Sequence, residues 1–174
     1  HRYQGYLLTH SLIRDGKEIK MVEVKGAPET FDTKKLIERV KKVAAGENCG
    51  WPDYNRMTHN PNENAVTVRG NIVLLEGNYL LLKREGWSEL KKYADFTISV
   101  KADEGMLYKR LLERKIKSGN SEEKARKFVE FSDIYNVRTC LNELESSDLT
   151  LELLADGSYS LQVNDNKMEA ENVR

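Results

Sequence analysis

The sequence predicts an α/β fold, and three observations carry that prediction. Runs of strand character, Ile72–Leu75 and Phe96–Ala102, alternate with stretches of helical periodicity instead of clustering. The run Ile72–Leu75 is apolar without a break, the pattern of a strand covered on both faces in a parallel sheet. No repeat or low-complexity linker interrupts the alternation, so residues 1–163 read as one domain and the aperiodic residues 164–174 as a fraying tail.

Each element follows from local chemistry. The stretch before Thr33, rich in Tyr and polar residues, reads as a loop. "TKKLIERVKKVAAG" places Leu36, Ile37, Val40, Val43 and Ala44 on one helical face, with Asp32 or Thr33 as N-cap and Gly46 as the stop. "NENAVTVRGNIVLLEG" predicts a hairpin of Ala65–Val68 with Ile72–Leu75, turning at Arg69-Gly70. "WSELKKYAD" is a short helix and Phe96–Ala102 a strand. "DEGMLYKRLLERKIKSG" is amphipathic from Asp103 to Gly119, and the longer helix after it opens on Ser121-Glu122-Glu123, a cap-like start. "LTLELLADGSYSLQV" is a hairpin turning at Asp156-Gly157.

Composition narrows the function classes. The chain has 174 residues, enough for one domain with a sizeable core. Its 28 basic residues balance 28 acidic ones, so no global field attracts nucleic acid or a membrane surface. Two cysteines, Cys49 and Cys140, lack the spacing of a zinc ribbon or a disulfide framework, and a reducing, cytoplasmic setting is the default expectation. The longest apolar stretch, broken by Glu76 and Asn78, is too short to span a bilayer, and no signal-peptide pattern opens the chain.

Candidate chemistry then rests on individual residues, each with a plainer reading beside it. Glu76 ends the apolar run just before Gly77; it is either an exposed strand end or a carboxylate in the crevice where open α/β sheets bind ligands, able to hold Mg²⁺ through its water shell. Arg110 and Arg114, four apart with Lys117 beyond, form either an anion-binding face or a solvated one neutralised by Glu113, Glu122 and Glu123. Asp32 either caps its helix or binds ligand. Tyr54 and His59, in a loop or edge strand between Pro52 and Pro61, offer an aromatic wall and a hydrogen-bonding ring, or are surface residues.

The order of these pieces carries more than any one of them. "VKGAPETFD", "PDYNRMTHNP", "IVLLEGNYLLL", "ADFTISV", the pair Arg110 and Arg114, and "SGNSEEKARKFVEFSDIYN" resemble, in succession, the uridine kinase and pantothenate kinase family of P-loop small-molecule kinases. The resemblance implies a three-layer sandwich with a mainly parallel sheet, a helical lid and a C-terminal hairpin. It implies ATP and Mg²⁺ as cosubstrate and cofactor, and phosphorylation of a hydroxyl on a uridine-like nucleoside, a sugar or a pantothenate-like acceptor. Glu76 resembles the acidic residue that organises Mg²⁺, and Asp32 the carboxylate that grips acceptor hydroxyls. Tyr54 and His59 resemble residues lining the acceptor pocket. Tyr3, with His1, resembles the tail of a segment whose aspartate is the general base. Arg110 and Arg114 resemble lid arginines that bind nucleotide and close over the transferred phosphoryl group. The implied partners are an acceptor and a nucleotide, with no nucleic acid or membrane; a homo-oligomer is compatible with the resemblance.

One departure shapes the expectation. A phosphate-cradling G-x-x-x-x-G-K-[ST] segment is absent from these residues, and Gly16-Lys17, followed by Glu18, does not supply one. The sequence therefore reads as the C-terminal part of such a kinase, incomplete at its N-terminus and not competent for turnover alone. The alternative is a binding or interaction module descended from a kinase that lost its phosphate loop.

Overall fold

Residues 1–163 are described by the computed structural model; the tail expected at 164–174 lies outside the described residues. Helices and strands combine as the α/β class requires, with parallel and antiparallel pairing both present. The chain divides into two units, one of His1–Leu80 with Glu85–Tyr93, the other of Leu81–Arg84 with the chain from Ala94 onward.

In the first unit, the stretch expected to be a loop is ordered by local signals. Helix α1 (Gln4–Thr9) buries Leu7 completely. Strands β1 (Ser11–Arg14) and β2 (Lys17–Lys20) pair antiparallel around Asp15 and Gly16, both at positive φ (51° and 73°), which is the two-residue turn whose twist matches a hairpin. Single turns of 3₁₀ helix at Met21–Val24 and Pro28–Thr30 follow. They lead into α2 (Thr33–Ala44), where Asp32 Oδ1 accepts from Lys35 N at 3.3 Å as the N-cap. Ile37 of α2 is buried, whereas Ala44, expected on the same face, is exposed at the last turn. Phe31, Tyr79 and Trp87 pack edge to face with centroids 5.5 to 5.7 Å apart. Tyr79 donates its hydroxyl to Gly26 O at 2.7 Å, which holds the turn ahead of α2.

Strands β3 (Cys49–Asn55) and β4 (Asn60–Val68) form the longest hairpin of this unit, with a bulge between Trp51 and Asp53. This corrects the expected pairing of Ala65–Val68 with Ile72–Leu75. Residues 71–77 carry no regular structure, and Ile72 and Leu74 are 94% and 89% exposed. Apolar character makes a strand only where a neighbour supplies backbone partners, and among the described residues β4 pairs with β3 instead. The central, covered position expected for this run, and for Glu76 at its end, is not the one described.

In the second unit, β5 (Ile98–Ala102) runs parallel to β6 (Leu149–Leu153), which pairs antiparallel with β7 (Tyr159–Val163). Thr97 and Asp148 lock the register: the Asp148 carboxylate accepts from Thr97 N and Oγ1 at 2.8 and 2.6 Å, and Asp148 N donates to Thr97 Oγ1 at 3.0 Å. Helix α3 (Glu104–Lys117) is capped by Asp103, whose carboxylate accepts from Met106 N at 2.9 Å. Helix α4 (Glu122–Phe128) passes through a π-helical turn, Val129–Asp133, into α5 (Ile134–Asn142). In that turn Ile134 N–H reaches back to Val129 O, five residues away, and Val129 and Ser132 are fully buried. Arg84 makes a two-point ion pair with Glu143 at 2.7 Å, holding Leu81–Arg84 beside the end of α5.

Candidate functional site

The first unit carries a partly open cavity of about 240 Å³ that brings together three of the residues singled out from sequence, Tyr3, Asp32 and Tyr54. Backbone geometry places each of them. Arg2 N donates to Thr30 O at 2.9 Å, so the chain entering α1 lies beside the 3₁₀ turn that precedes Asp32, with Tyr3 at the start of the helix. Tyr54 stands on β3 opposite Pro61 of β4. Phe31 and Trp51 add aromatic surface, and the His1 ring stacks on Phe31 at 4.1 Å. Asp32 spends Oδ1 on its helix cap and keeps Oδ2 without a hydrogen bond among the described residues.

One wall of the cavity is a charge network that sequence reading passed over. Glu63, on β4, accepts from Tyr3 Oη at 3.1 Å, from Lys35 Nζ at 3.0 Å and from the Arg39 guanidinium. The Arg39 hydrogen bond, followed by that of Lys35, drops the Glu63 carboxyl from 4.5 to about 2, against the opposing effect of burial. Glu63 in return raises Lys35 above its ordinary range. A signal was available: Lys35 and Arg39 lie four apart on one helix, the like-charge spacing that drew attention to Arg110 and Arg114.

The remaining candidates are not among the residues that line this cavity. His59 occupies the tip of the β3–β4 turn at φ 54°, exposed, and its carbonyl accepts from Lys25 Nζ at 3.0 Å. Glu76 is exposed within the irregular segment 71–77, and the described residues contain no group of three or more His, Cys, Asp or Glu side chains able to hold a metal. In the second unit, Arg110 and Arg114 are exposed on α3, and neither makes an ion pair among the described residues. Of the three glutamates expected to neutralise them, Glu122 pairs with Arg126 at 2.9 Å and Glu123 with Lys127 at 2.7 Å, while Glu113 is exposed on α3 itself. Behind the pair, burial raises the Asp133 carboxyl while the charges of Lys115 and Arg114 pull it back down.

Comparison with known proteins adds a family to this geometry. The sequence model of the phosphoribulokinase / uridine kinase family matches residues 9–152. Among curated proteins, the chain is 38% identical over 159 residues to the uncharacterized protein YggC of Escherichia coli K12, covering 91% of the chain and 63% of that protein. It is 32% identical over 113 residues to pantothenate kinase of Lactococcus lactis strain IL1403, covering 63% of the chain and 36% of the enzyme. Among solved structures it resembles a candidate fructose transport system kinase from Silicibacter sp. TM1040, with a TM-score of 0.71 and 27% identity over 75% of the chain and 64% of that protein. The chain thus spans less than two thirds of the length of each of these relatives.

Proposed function

The chain belongs to the phosphoribulokinase / uridine kinase family, and from that premise we propose that the full-length protein transfers the γ-phosphoryl group of ATP to a hydroxyl of a small acceptor. The observation that carries this reading is the convergence of Tyr3, Asp32 and Tyr54 on one cavity. A carboxylate with a free oxygen beside aromatic walls suits a hydroxyl-bearing ring. Asp32 Oδ2 accepts from an acceptor hydroxyl, and the rings of Tyr54 and Phe31 cover the apolar part of the molecule and exclude water from it. In the transfer, the acceptor oxygen bonds to the γ-phosphorus, the bond from that phosphorus to the β–γ bridging oxygen breaks, ADP leaves, and the hydroxyl proton passes to a general base.

Arg110 and Arg114, exposed and without internal ion pairs, suit the charge that spreads over the transferred group. Mg²⁺, when bound, neutralises charge on the nucleotide phosphates. It takes one or two carboxylates and keeps several waters, so the lone, exposed Glu76 fits as its protein ligand. One further observation is compatible with a cytoplasmic enzyme: Cys49 and Cys140 are not joined in a disulfide. No helix among the described residues is long and apolar enough to cross a membrane.

Steady-state ADP formation by the full-length protein, with uridine, D-fructose and pantothenate offered in turn, tests the proposal. Acceptor-dependent ADP release that falls in Asp32→Asn supports it. Acceptor binding without ADP release favours the second reading, a non-catalytic binding module.

A further inference from the structure

The cavity raises a question that family membership leaves open, namely whether its acceptor is neutral or anionic. Its walls hold the cations Arg2, Lys35 and Arg39 and the carboxylates Asp32, Asp53 and Glu63. These groups are not equally available. Lys35 and Arg39 both donate to Glu63, which also takes the Tyr3 hydroxyl. Arg2 lies over the Tyr6 ring, 4.5 Å from its centroid, and its buried Nε has no hydrogen-bond partner among the described residues, so of these three cations it is the one not engaged by Glu63. Lys25, at the cavity's edge and 5.1 Å from the Tyr54 ring centroid, donates to Gln4 Oε1 and His59 O, each at 3.0 Å.

Among the carboxylates, Asp32 and Asp53 are less occupied than Glu63. Asp32 uses one oxygen on Lys35 N, and Asp53 uses one on Tyr54 N at 2.7 Å. Each keeps a second oxygen without a hydrogen bond among the described residues. Free carboxylate oxygens beside aromatic faces accept hydroxyls and repel anions.

We propose that Glu63 sets the acceptor class of this cavity: by engaging Lys35 and Arg39 it withholds both cations from an anionic acceptor and leaves a site for a neutral, hydroxyl-rich ring. Glu63 acts through the two cations and Tyr3, as a specificity-determining residue that orders them, and the low value of its carboxyl keeps it charged across the physiological range. The inference rests on the phosphotransfer reading in one respect, that the cavity is where the acceptor binds. Its content is which acceptor enters.

Calorimetry on the intact protein without ATP separates the two. The neutral probes are uridine and D-fructose; the anionic ones are pantothenate and ribulose 5-phosphate. The wild type is expected to bind at least one neutral probe about tenfold or more tighter than either anion. In Glu63→Gln that gap narrows by about tenfold, as Lys35 and Arg39 become available. Adding Lys35→Gln to Glu63→Gln removes the freed charge and widens the gap again, a reversal that a merely structural glutamate does not produce. Should Glu63→Gln fail to fold, Asp53→Asn raises the lining by the same one charge while its side-chain oxygen still accepts from Tyr54 N, and the gap narrows in the same direction. Equal or tighter binding of an anion by the wild type overturns the inference, as does an unchanged gap in folded Glu63→Gln, an unchanged gap in Asp53→Asn where Glu63→Gln does not fold, or no binding of any probe. Neutral binding with the predicted shifts but no ADP formation leaves the inference standing and removes the phosphotransfer reading.

Discussion

Two pairs of cations at the same helical spacing have opposite fates in this protein. Lys35 and Arg39 on α2 converge on Glu63, whereas Arg110 and Arg114 on α3 face solvent with no ion pair among the described residues. Like charges four apart disfavour an isolated helix by about 0.2–0.5 kcal/mol in either place. On α2 the compensation is internal, supplied by a strand of the same unit. On α3 no ion pair among the described residues supplies it, and the phosphotransfer reading assigns it to a ligand. Identical spacing therefore marks a structural network in one helix and a solvent-facing pair in the other, and the difference lies in what the neighbouring element carries.

The largest expected effect tests the open pair. In the full-length protein, Arg114→Ala is expected to lower kcat by about 10²-fold or more, the usual loss when one donor to transition-state charge is removed. Its unfolding free energy should stay within about 0.5 kcal/mol of wild type, as for other surface substitutions. Arg114→Lys keeps the charge but not the planar fork and should fall between the two. Wild-type turnover in both variants would place the pair among ordinary solvated charges.

The second effect concerns Asp32, the carboxylate proposed to bind the acceptor. Asp32→Asn retains most of the α2 cap, since Asn caps about as well as Asp, so a thermal melt should barely move. Acceptor kcat/KM is expected to fall by about tenfold, the loss of a charge-assisted hydrogen bond of about 1.5 kcal/mol. Parallel losses of stability and activity would make Asp32 a cap alone.

A smaller effect separates the two pairs by stability. Arg39→Ala should destabilise the protein by about 1 kcal/mol, because it leaves a partly buried Glu63 with Lys35 and Tyr3 only. Arg110→Ala should change denaturant midpoints very little. Equal shifts in the two variants would erase the distinction between internal and external compensation.

The smallest effect is a pH signature. Glu63 ionises more readily in the folded protein than its ordinary 4.5, at about 2, so its stabilising contribution is complete above the unfolded value and is lost as pH falls towards 2. Between those limits the unfolded chain binds the extra proton, and stability should decline with acidification. Glu63→Gln should lack this component and show a flatter urea-midpoint profile across that window. A wild-type profile as flat as the variant's would mean that the network is not formed in solution.

Legibility from sequence followed the range of the interactions. The caps of α2 and α4 and the hairpin turning at Asp156-Gly157 were readable because a cap or a turn is decided within a few residues. The Asp15-Gly16 hairpin was equally local, but Gly16-Lys17 was weighed only as a fragment of a phosphate loop, so its turn chemistry was passed over. Ile72–Leu75 failed for the opposite reason. Its residues carry strand propensity, yet a strand is a property of two chains of backbone donors, and here β4 takes β3 as its neighbour. The site divided in the same way. Asp32 and Tyr54 were visible through local roles, while Glu63 depends on Lys35 and Arg39 lying 28 and 24 residues away.

The π-helical turn at Val129–Asp133 bears on how this chain tolerates insertion and deletion. It accommodates one residue more than an α-helical turn would, so α4 and α5 present their buried faces in a phase that only the extra residue permits. Deleting a single residue there would restore continuous α-helix and rotate everything beyond it by about 100° around the axis. Thr139, now buried, would swing away from the interior, and Arg138, now bound to Glu104, would lose its partner. Alignments of relatives that open or close a gap within this turn therefore compare helices with different buried faces, and a substitution beyond it can be transferred between proteins only after the turn itself has been matched.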